Sequence, residues 1–149
     1  MLSPEKIVIA VGLPGSGKST YLAGLGVNPI SSDAIRLQLA DDETDQTIHG
    51  RVFATVRYLL KQRLDLGRPV TYIDATNLTP KDRRPWVKIA QERGCKIDAL
   101  FFDVPLAVCK ARNAARGRTV PESAMDKMAA KLKPPTEAEG FDKIQRITD

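Results

Sequence analysis

The chain has 149 residues, of which 42% are hydrophobic and 28% charged, as expected for one globular domain with a sizeable core. No stretch approaches the roughly 18 apolar residues that a membrane-spanning helix needs, and the first residues lack the layout of a signal peptide. We therefore expect no contact with a membrane. The formal net charge of +5 favours an anionic partner only weakly.

Strand-like runs alternate with helix-like runs, a pattern typical of α/β proteins in which helices cover a parallel sheet. The predicted strands are residues 6–11, 29–32, 70–74, 96–102 and 143–148, the last at an edge. The predicted helices begin at residues 19, 33, 47, 79, 105 and 121 and end near residues 24, 40, 65, 94, 115 and 132. Ligands of such sheets bind beyond the carboxyl ends of the strands, where Gly12, Asp33, Asp74 and Asp103 fall.

Residues 12–19 read Gly-Leu-Pro-Gly-Ser-Gly-Lys-Ser and satisfy the G-x-x-x-x-G-K-[ST] pattern of the phosphate-binding loop, or P-loop. The strand-like run before the loop and the helix-like run after it supply the context that the pattern requires. The glycines let successive N–H groups point at one anion, while Lys18 reaches the outer phosphates and Ser19 offers its hydroxyl to Mg²⁺. We predict that ATP and Mg²⁺ bind through Gly12, Pro14, Gly15, Ser16, Gly17, Lys18, Ser19 and Thr20, and with ATP as the ligand we expect a cytoplasmic protein.

Asp33 follows the second predicted strand, and Arg36 comes three residues later. Phosphoryl transfer needs a group that accepts the proton of the acceptor hydroxyl and aims its oxygen at the γ-phosphate. Arg36, on the same helix face as Asp33, would bind a phosphate of the acceptor through two N–H groups. The alternative is that Asp33 only caps a surface helix, a common position for Asp. The nearby P-loop favours the catalytic base.

Asp74 ends the third predicted strand after apolar or β-branched residues, as the Walker-B carboxylate does. There it would hold Mg²⁺ through water or accept a hydrogen bond from Ser19. Asn77 adds a further polar group to the same edge. Asp74 and Asn77 could equally do no more than build the turn after the strand, and the sequence leaves both interpretations open.

Arg112, Arg116 and Arg118 lie at the end of the fifth predicted helix and in the break after it. Arg112 and Arg116 are four residues apart and share a face if the helix persists. Gly117 and the helix restart at Pro121 favour a mobile lid, which would place cations on the β- and γ-phosphates and exclude water. The alternative is a solvated charged surface.

Charge is segregated along the chain, an arrangement that can steer a polyanion to one side. One basic cluster comprises Lys81, Arg83, Arg84 and Lys88, and a second comprises Lys110, Arg112, Arg116 and Arg118. An acidic patch comprises Asp41, Asp42, Glu43 and Asp45.

Four stretches resemble the 5′-kinase domain of the polynucleotide kinase family, which occurs in phage polynucleotide kinase-phosphatase and in bacterial RNA-repair kinases. They are Gly-Leu-Pro-Gly-Ser-Gly-Lys-Ser-Thr at 12–20, Ser-Asp-Ala-Ile-Arg at 32–36, Asp-Ala-Thr-Asn-Leu-Thr-Pro at 74–80, and a segment at 102–121 that contains Arg-Asn-Ala-Ala-Arg-Gly. The P-loop is common to many families, whereas the last stretch is much more specific. The resemblance implies one domain over residues 1–149 with a three-layer P-loop kinase fold, a mostly parallel five-stranded sheet in the order 2-3-1-4-5, and a small arginine-bearing lid over about residues 112–132.

The resemblance also implies ATP-dependent transfer of the γ-phosphate to the 5′-hydroxyl end of DNA or RNA. The roles it implies are phosphate and Mg²⁺ binding for Lys18 and Ser19, general base for Asp33, acceptor-phosphate contact for Arg36, and lid arginines for Arg112 and Arg116. The family often fuses this domain to other repair domains, but no Asp-x-Asp-x-Thr phosphatase motif occurs in the sequence. We therefore expect no 3′-phosphatase activity, and partner proteins would have to supply phosphatase or ligase activity.

Three functions remain open at this point. A polynucleotide 5′-hydroxyl kinase accounts for the P-loop, Asp33, Arg36, the lid arginines and the basic clusters together. A P-loop kinase for a small-molecule hydroxyl, such as a sugar or a nucleotide, leaves the outer positive charge unused. A non-catalytic ATP-binding module makes Asp33 only a cap. We favour the first.

Overall fold

The computed structural model describes residues 4–117 and 120–148. The strands are β1 (Lys6–Val11), β2 (Ile30–Ser31), β3 (Val70–Asp74), β4 (Lys96–Phe102) and β5 (Lys143–Ile147). The α-helices are α1 (Lys18–Gly24), α2 (Ser32–Ala40), α3 (His49–Asp65), α4 (Pro80–Arg93), α5 (Leu106–Ala115) and α6 (Glu122–Lys131). The predicted alternation of strands and helices is confirmed.

The five strands form one sheet in the order β2-β3-β1-β4-β5, which confirms the predicted order 2-3-1-4-5. Each neighbouring pair is parallel, so the sheet is parallel throughout rather than mostly. The central strand β1 is buried over residues 7–11, as expected when helices cover both faces of a parallel sheet. The carboxyl ends of the strands meet at one edge, which we call the rim.

Helices pack on both faces of the sheet and over the rim. On one face, Val56 of α3 and Trp86 of α4 belong to the main core, and α2 packs against α3. On the other face, Leu22 of α1 packs with Phe102. Helices α5 and α6 join a separate apolar cluster with the P-loop residue Leu13. None of the helices in the described ranges is long and apolar enough to cross a membrane.

Several element boundaries differ from the prediction by one or two residues, and at two helix starts a side chain caps the helix. The Ser31 hydroxyl accepts a hydrogen bond from the N–H of Ala34 at 3.1 Å, so α2 begins at once after a strand of two residues. The carboxylate of Asp45 accepts from the N–H of Thr47, and the helix expected from residue 47 begins as a 3₁₀ turn, Gln46–Ile48. Short polar side chains of this kind compete for backbone donors at helix starts.

Candidate active site

The P-loop, residues 12–19, joins β1 to α1 at the rim. Gly15 has a φ of +82°, and a Cβ there would lie 2.4 Å from the carbonyl oxygen of Cys109 in α5, so only glycine fits. A Cβ on Gly12 would lie 2.7 Å from the Ser16 hydroxyl. The compact loop conformation therefore depends on the glycines of the sequence pattern.

The other predicted loop residues divide into a buried and an exposed set. Ser16 is buried, Pro14 and Gly17 are half-buried, and Ser19 and Thr20 are exposed on the first turn of α1. The carbonyl of Gly17 accepts the N–H of Tyr21 and so begins the helix. Ser19 and Thr20 thus lie on the first helical turn at the rim, where a nucleotide would approach.

Lys18 lies inside the loop with only 8% of its surface exposed. Its Nζ donates to the carbonyl oxygens of Gly12 at 3.0 Å and Leu13 at 2.8 Å. Burial lowers the pKa of Lys18 to about 8, against the opposing effect of the nearby Asp74 and Asp33 carboxylates. The ammonium is held at the centre of the loop and lies within the electrostatic reach of both carboxylates that the sequence singled out.

Ser19 and Asp74 are in direct contact. The Ser19 Oγ donates to the Oδ2 of Asp74 at 2.6 Å, as one of the predicted roles of Asp74 requires. Hydroxyl and carboxylate oxygens are ligands that Mg²⁺ prefers, and Mg²⁺ commonly takes few protein ligands besides the phosphates of its nucleotide. In residues 4–117 and 120–148 no group of three or more His, Cys, Asp or Glu side chains could hold a metal ion. Ser19 and Asp74 therefore fit a nucleotide-bound Mg²⁺ rather than a cation held by protein alone.

Asn77 is structural, which supports the turn-building alternative for this residue. It lies at a φ of +48°, and its Nδ2 donates to the carbonyl of Ala10 in β1 at 2.8 Å. Its Oδ1 accepts from the indole N–H of Trp86 at 3.0 Å, and the neighbouring carbonyl of Thr76 accepts from the N–H of Gly12. These bonds fix the segment after β3 against the start of the P-loop.

Asp33 and Arg36 face each other in the first turns of α2. The Asp33 Oδ1 accepts from the Arg36 Nη1 at 3.2 Å. The helix cap is Ser31, so the alternative in which Asp33 serves as the cap is wrong. Arg36 is only 5% exposed, and its buried Nε has no hydrogen-bond partner among the described residues. A buried guanidinium donor left unpaired is costly, so this side chain is suited to binding an anion.

The two predicted lid arginines that the structure describes occupy different positions. The Nη1 of Arg112 donates to the carbonyl of Gly15 at 3.4 Å, which places this guanidinium on the P-loop. Arg116 is exposed at the end of α5 and, with Gly117, lines an open cleft of about 660 Å³. The opposite wall of this cleft consists of Leu37, Asp41, Asp42, Glu43 and Thr44. Arg118, the third predicted lid arginine, and Thr119 lie outside the described residues.

Asn113 is a buried polar residue that the sequence reasoning did not select. Its Nδ2 donates to the carbonyl of Val120 at 2.9 Å, and its Oδ1 accepts from the N–H of the same residue at 3.2 Å. This pair of bonds ties the start of the segment before α6 to α5. Asn113, in the Arg-Asn-Ala-Ala-Arg-Gly stretch between the two arginines, therefore anchors the region predicted to form a lid.

Arg83 does not belong to the basic surface cluster in which the sequence analysis placed it. Its side chain is completely buried, and its Nε and Nη2 donate to the Glu139 carboxylate at 2.8 and 3.0 Å. Its Nη1 donates to the carbonyls of Asn77 and Lys133. Burial alone would raise the pKa of Glu139, but the hydrogen bonds from Arg83 and Thr136 outweigh it and lower that pKa. Arg83 thus joins the segment after β3 to the segment that precedes β5.

Comparison with known families decides the classification. Residues 7–135 match the family described as AAA domain. The chain belongs to this family. Its parallel sheet, P-loop and flanking helices give this AAA-domain protein the P-loop kinase fold.

Relatives of this AAA-domain protein confirm the resemblance to the polynucleotide kinase family. The chain is 25% identical over 152 residues to the bifunctional polynucleotide phosphatase/kinase of Schizosaccharomyces pombe, covering 96% of this chain and 33% of that protein. It is also 25% identical over 146 residues to the L-seryl-tRNA(Sec) kinase of Methanococcus maripaludis, covering 87% of this chain and 53% of that protein.

A solved structure agrees with these relatives. A chain of the Pnkp1/Rnl/Hen1 RNA repair complex superimposes with a TM-score of 0.76 and 26% identity, covering 89% of this chain and 45% of that one. The chain described here spans from a third to about half of the length of these three proteins.

Proposed function

We propose that this P-loop kinase transfers the γ-phosphate of ATP to the 5′-hydroxyl end of a polynucleotide. The observation that carries the proposal is the contact between Asp33 and Arg36, in which a half-buried carboxylate lies beside a buried arginine with an unpaired Nε. A general base and an anion-binding group side by side suit an acceptor that carries a hydroxyl and a phosphate on the same sugar.

The P-loop side of the rim would hold the donor. Lys18 and the loop N–H groups would bind the outer phosphates, while Ser19 and Asp74 would hold Mg²⁺. Bound Mg²⁺ would offset the charge of the phosphates. Arg112, which already contacts the carbonyl of Gly15, would add a cation on this side, and Arg116 would complete the lid.

Asp33 would act on the acceptor. Its carboxylate would take the proton of the 5′-hydroxyl as the oxygen bonds to the γ-phosphorus and the bond from that phosphorus to the β–γ bridging oxygen breaks, leaving ADP. Arg36 would bind the phosphate on the 3′ side of the terminal nucleotide and fix the distance to the hydroxyl. Positioning of this kind supplies a large part of catalysis in phosphoryl transfer.

The relatives support the polynucleotide as the acceptor. The S. pombe protein is a polynucleotide phosphatase/kinase, and Pnkp1 belongs to an RNA repair complex. We propose by extension that other proteins supply the phosphatase and ligase steps for this kinase, and that it works in the cytoplasm.

A second candidate is a kinase for a small hydroxyl compound, and one observation favours it. The cleft beside Arg116 is lined by Asp41, Asp42 and Glu43, and these carboxylates would repel the phosphates of a polynucleotide strand that lay across them. The polynucleotide proposal therefore requires the strand to leave the site in another direction.

One assay separates the two candidates. The protein is incubated with γ-labelled ATP, Mg²⁺ and a 5′-hydroxyl oligonucleotide, and in parallel with the same oligonucleotide carrying a 5′-phosphate. We expect label on the 5′-hydroxyl strand alone, and none with an Asp33→Asn variant. If the protein binds ATP but labels neither strand, the polynucleotide proposal is wrong and hydroxyl-bearing sugars and nucleosides become the acceptors to test.

A further inference from the structure

A groove lined by cations runs between α3 and α4, outside the site described above. It has a volume of about 440 Å³, and its floor includes Pro85 and Ile89. Five basic side chains from the two helices line it: Arg57, Lys61, Lys81, Arg84 and Lys88. Arg57 and Lys61 are four residues apart, and the other three follow at spacings of three and four, so each helix presents one basic stripe.

The five cations share the groove with one carboxylate, that of Glu92, so their charge is only partly balanced. Among the described residues, only Lys88 of the five has a carboxylate within 4.0 Å, that of Glu92 at 3.9 Å. Some other surface cations have closer partners: the Lys110 Nζ lies 2.8 Å from Asp126, and the Arg146 Nη2 lies 2.7 Å from Asp103. Uncompensated cations gathered in one concave surface produce a local positive potential that attracts anions.

The groove starts at the rim and leads away from it. Lys81 lies at the beginning of α4, two residues after Thr79, whose hydroxyl caps this helix. The segment before Thr79 is fixed to the P-loop through the bond from the N–H of Gly12 to Thr76. Asp33 follows β2, the neighbour of β3, so the groove begins at the same edge of the sheet as Asp33.

The length and charge of the groove match a nucleic-acid backbone. From Lys81 to Lys88, α4 rises by about 10 Å at 1.5 Å per residue. Phosphates of one strand in duplex geometry are about 3.4 Å apart along the axis, so the groove spans about three of them. The acidic patch at residues 41–45 occupies the opposite end of α2 and would repel the same strand. The basic groove and the acidic patch together favour a strand that leaves the site along α4.

We propose that the groove between α3 and α4 binds the phosphodiester backbone of the acceptor strand, downstream of the nucleotide whose 5′-hydroxyl lies at Asp33. The inference rests on the proposed polynucleotide kinase function and extends it with a second binding site. Backbone contacts of this kind position a strand without reading its sequence. The groove therefore makes the kinase favour long acceptors over short ones, whatever their sequence.

A double charge reversal, Lys61→Glu with Lys88→Glu, tests this groove. Both residues lie at its far end, so the residues proposed for phosphoryl transfer are unchanged. The matched control, Lys96→Glu with Lys143→Glu, makes the same change in net charge at exposed residues that begin β4 and β5, on the edge opposite the rim. Arg84→Ala serves as a milder variant within the groove, and thermal unfolding checks that all variants fold.

Binding of a fluorescent single strand of about 16 nucleotides, the upper end of usual site sizes, is measured by anisotropy over a range of salt concentrations. We expect the slope of log affinity against log salt to become shallower by about 1.4 in the groove variant, because each neutralised phosphate of a single strand contributes about 0.7. The KM for this strand should rise roughly fivefold or more, with kcat and the KM for a 5′-hydroxyl dinucleotide unchanged. The control should behave as the unaltered protein.

Each other outcome is decisive. Equal losses in the groove variant and the control, or competition by poly-glutamate as strong as that by an oligonucleotide of the same charge, would overturn the assignment. Binding that depends on the groove in a protein that phosphorylates no oligonucleotide would uphold the groove and refute the kinase proposal. If the groove variant phosphorylates long strands as well as the unaltered protein does, the kinase proposal is upheld and the groove assignment is refuted.

Discussion

The hydroxyl of Ser19 and the carboxylate of Asp74 are joined by a hydrogen bond of 2.6 Å, although 55 residues separate them. The contact connects the first turn of α1 to the end of β3, because these two elements meet at the rim of a parallel sheet. It places two oxygen atoms of the kind that Mg²⁺ prefers next to each other at the P-loop. The contact with Ser19 gives a structural reason for a carboxylate at the end of β3.

Replacing Asp74 by Asn should weaken the use of Mg²⁺. The amide keeps the size of the side chain but removes the negative charge, so the concentration of Mg²⁺ at half-maximal kinase rate should rise on the order of tenfold. ATP affinity in the presence of a chelator should stay close to its original value. The control is Asp103→Asn, at the end of β4, whose carboxylate is paired with Arg146. Equal Mg²⁺ dependence in the two variants would contradict the assignment of Asp74.

Replacing Asp33 by Asn should reduce the rate of transfer without reducing nucleotide binding. Removal of a general base typically lowers kcat by about 10²- to 10⁴-fold, whereas the donor phosphates would be held by the P-loop. Steady-state rates with a 5′-hydroxyl oligonucleotide and ATP binding by calorimetry measure the two effects. A large loss of ATP affinity would count against the base.

Ser31→Ala is the matched control for this experiment. It removes the hydroxyl that caps α2 and should lower the free energy of unfolding by about 1 kcal/mol, with little change in kcat. If it reduced kcat as strongly as Asp33→Asn, the effect at Asp33 would come from disturbing the helix start rather than from losing a base.

The sequence predicted the elements whose signal is local. The run Lys6–Val11 is apolar and is followed at once by a glycine-rich loop and a lysine, so strand, P-loop and helix could be placed together. Hydrophobic runs and turn residues likewise predicted the positions of the other four strands. The strand order followed from the resemblance to a known family, since periodicity alone does not fix which strands are neighbours.

The contacts that hold the site together could not be predicted, because they join residues far apart in sequence. Arg83 was assigned to a basic surface from its neighbours Lys81 and Arg84, yet it is buried against Glu139. Asn77 and Asn113 form bonds to Ala10 and to Val120 that depend on the packed structure. The residues next to a charged or amide side chain in the sequence give no sign of such a distant partner.

The buried amine of Lys18 predicts uptake of protons when ATP binds. In the free protein its pKa is lowered to about 8, so at pH values near 8 about half of the molecules carry a neutral amine. Phosphate charge beside the amine favours the charged form and raises the pKa, so ATP binding should take up about half a proton near pH 8.

Calorimetry in buffers of different ionisation enthalpy measures this uptake. At about pH 6, well below the pKa, Lys18 is already protonated and its contribution should vanish. Lys18→Met supplies the control at both pH values, because ATP has a titration of its own. Equal proton uptake by the variant and the unaltered protein would show that the pKa of Lys18 does not change on binding.

The ion pair between Arg83 and Glu139 should stabilise the fold strongly. Arg83→Met would leave a largely buried carboxylate unpaired and the carbonyls of Asn77 and Lys133 without a donor. Loss of one partner of a buried pair lowers the free energy of unfolding by about 3–5 kcal/mol. The more exposed pair of Lys110 and Asp126 is the control, since breaking it with Lys110→Met should have little effect.

The pH dependence of unfolding tests the same pair without removing the arginine. Because the pKa of Glu139 is lower in the folded protein than its usual value of 4.5, the unfolded chain binds more protons as the pH falls through that range. The stabilisation is therefore complete above the usual pKa and is lost as the pH drops through the folded one. Denaturant unfolding at several pH values should show a steeper acid loss for the unaltered protein than for Glu139→Gln. Parallel curves for the two proteins would mean that the carboxylate gains no more from Arg83 than a neutral amide does.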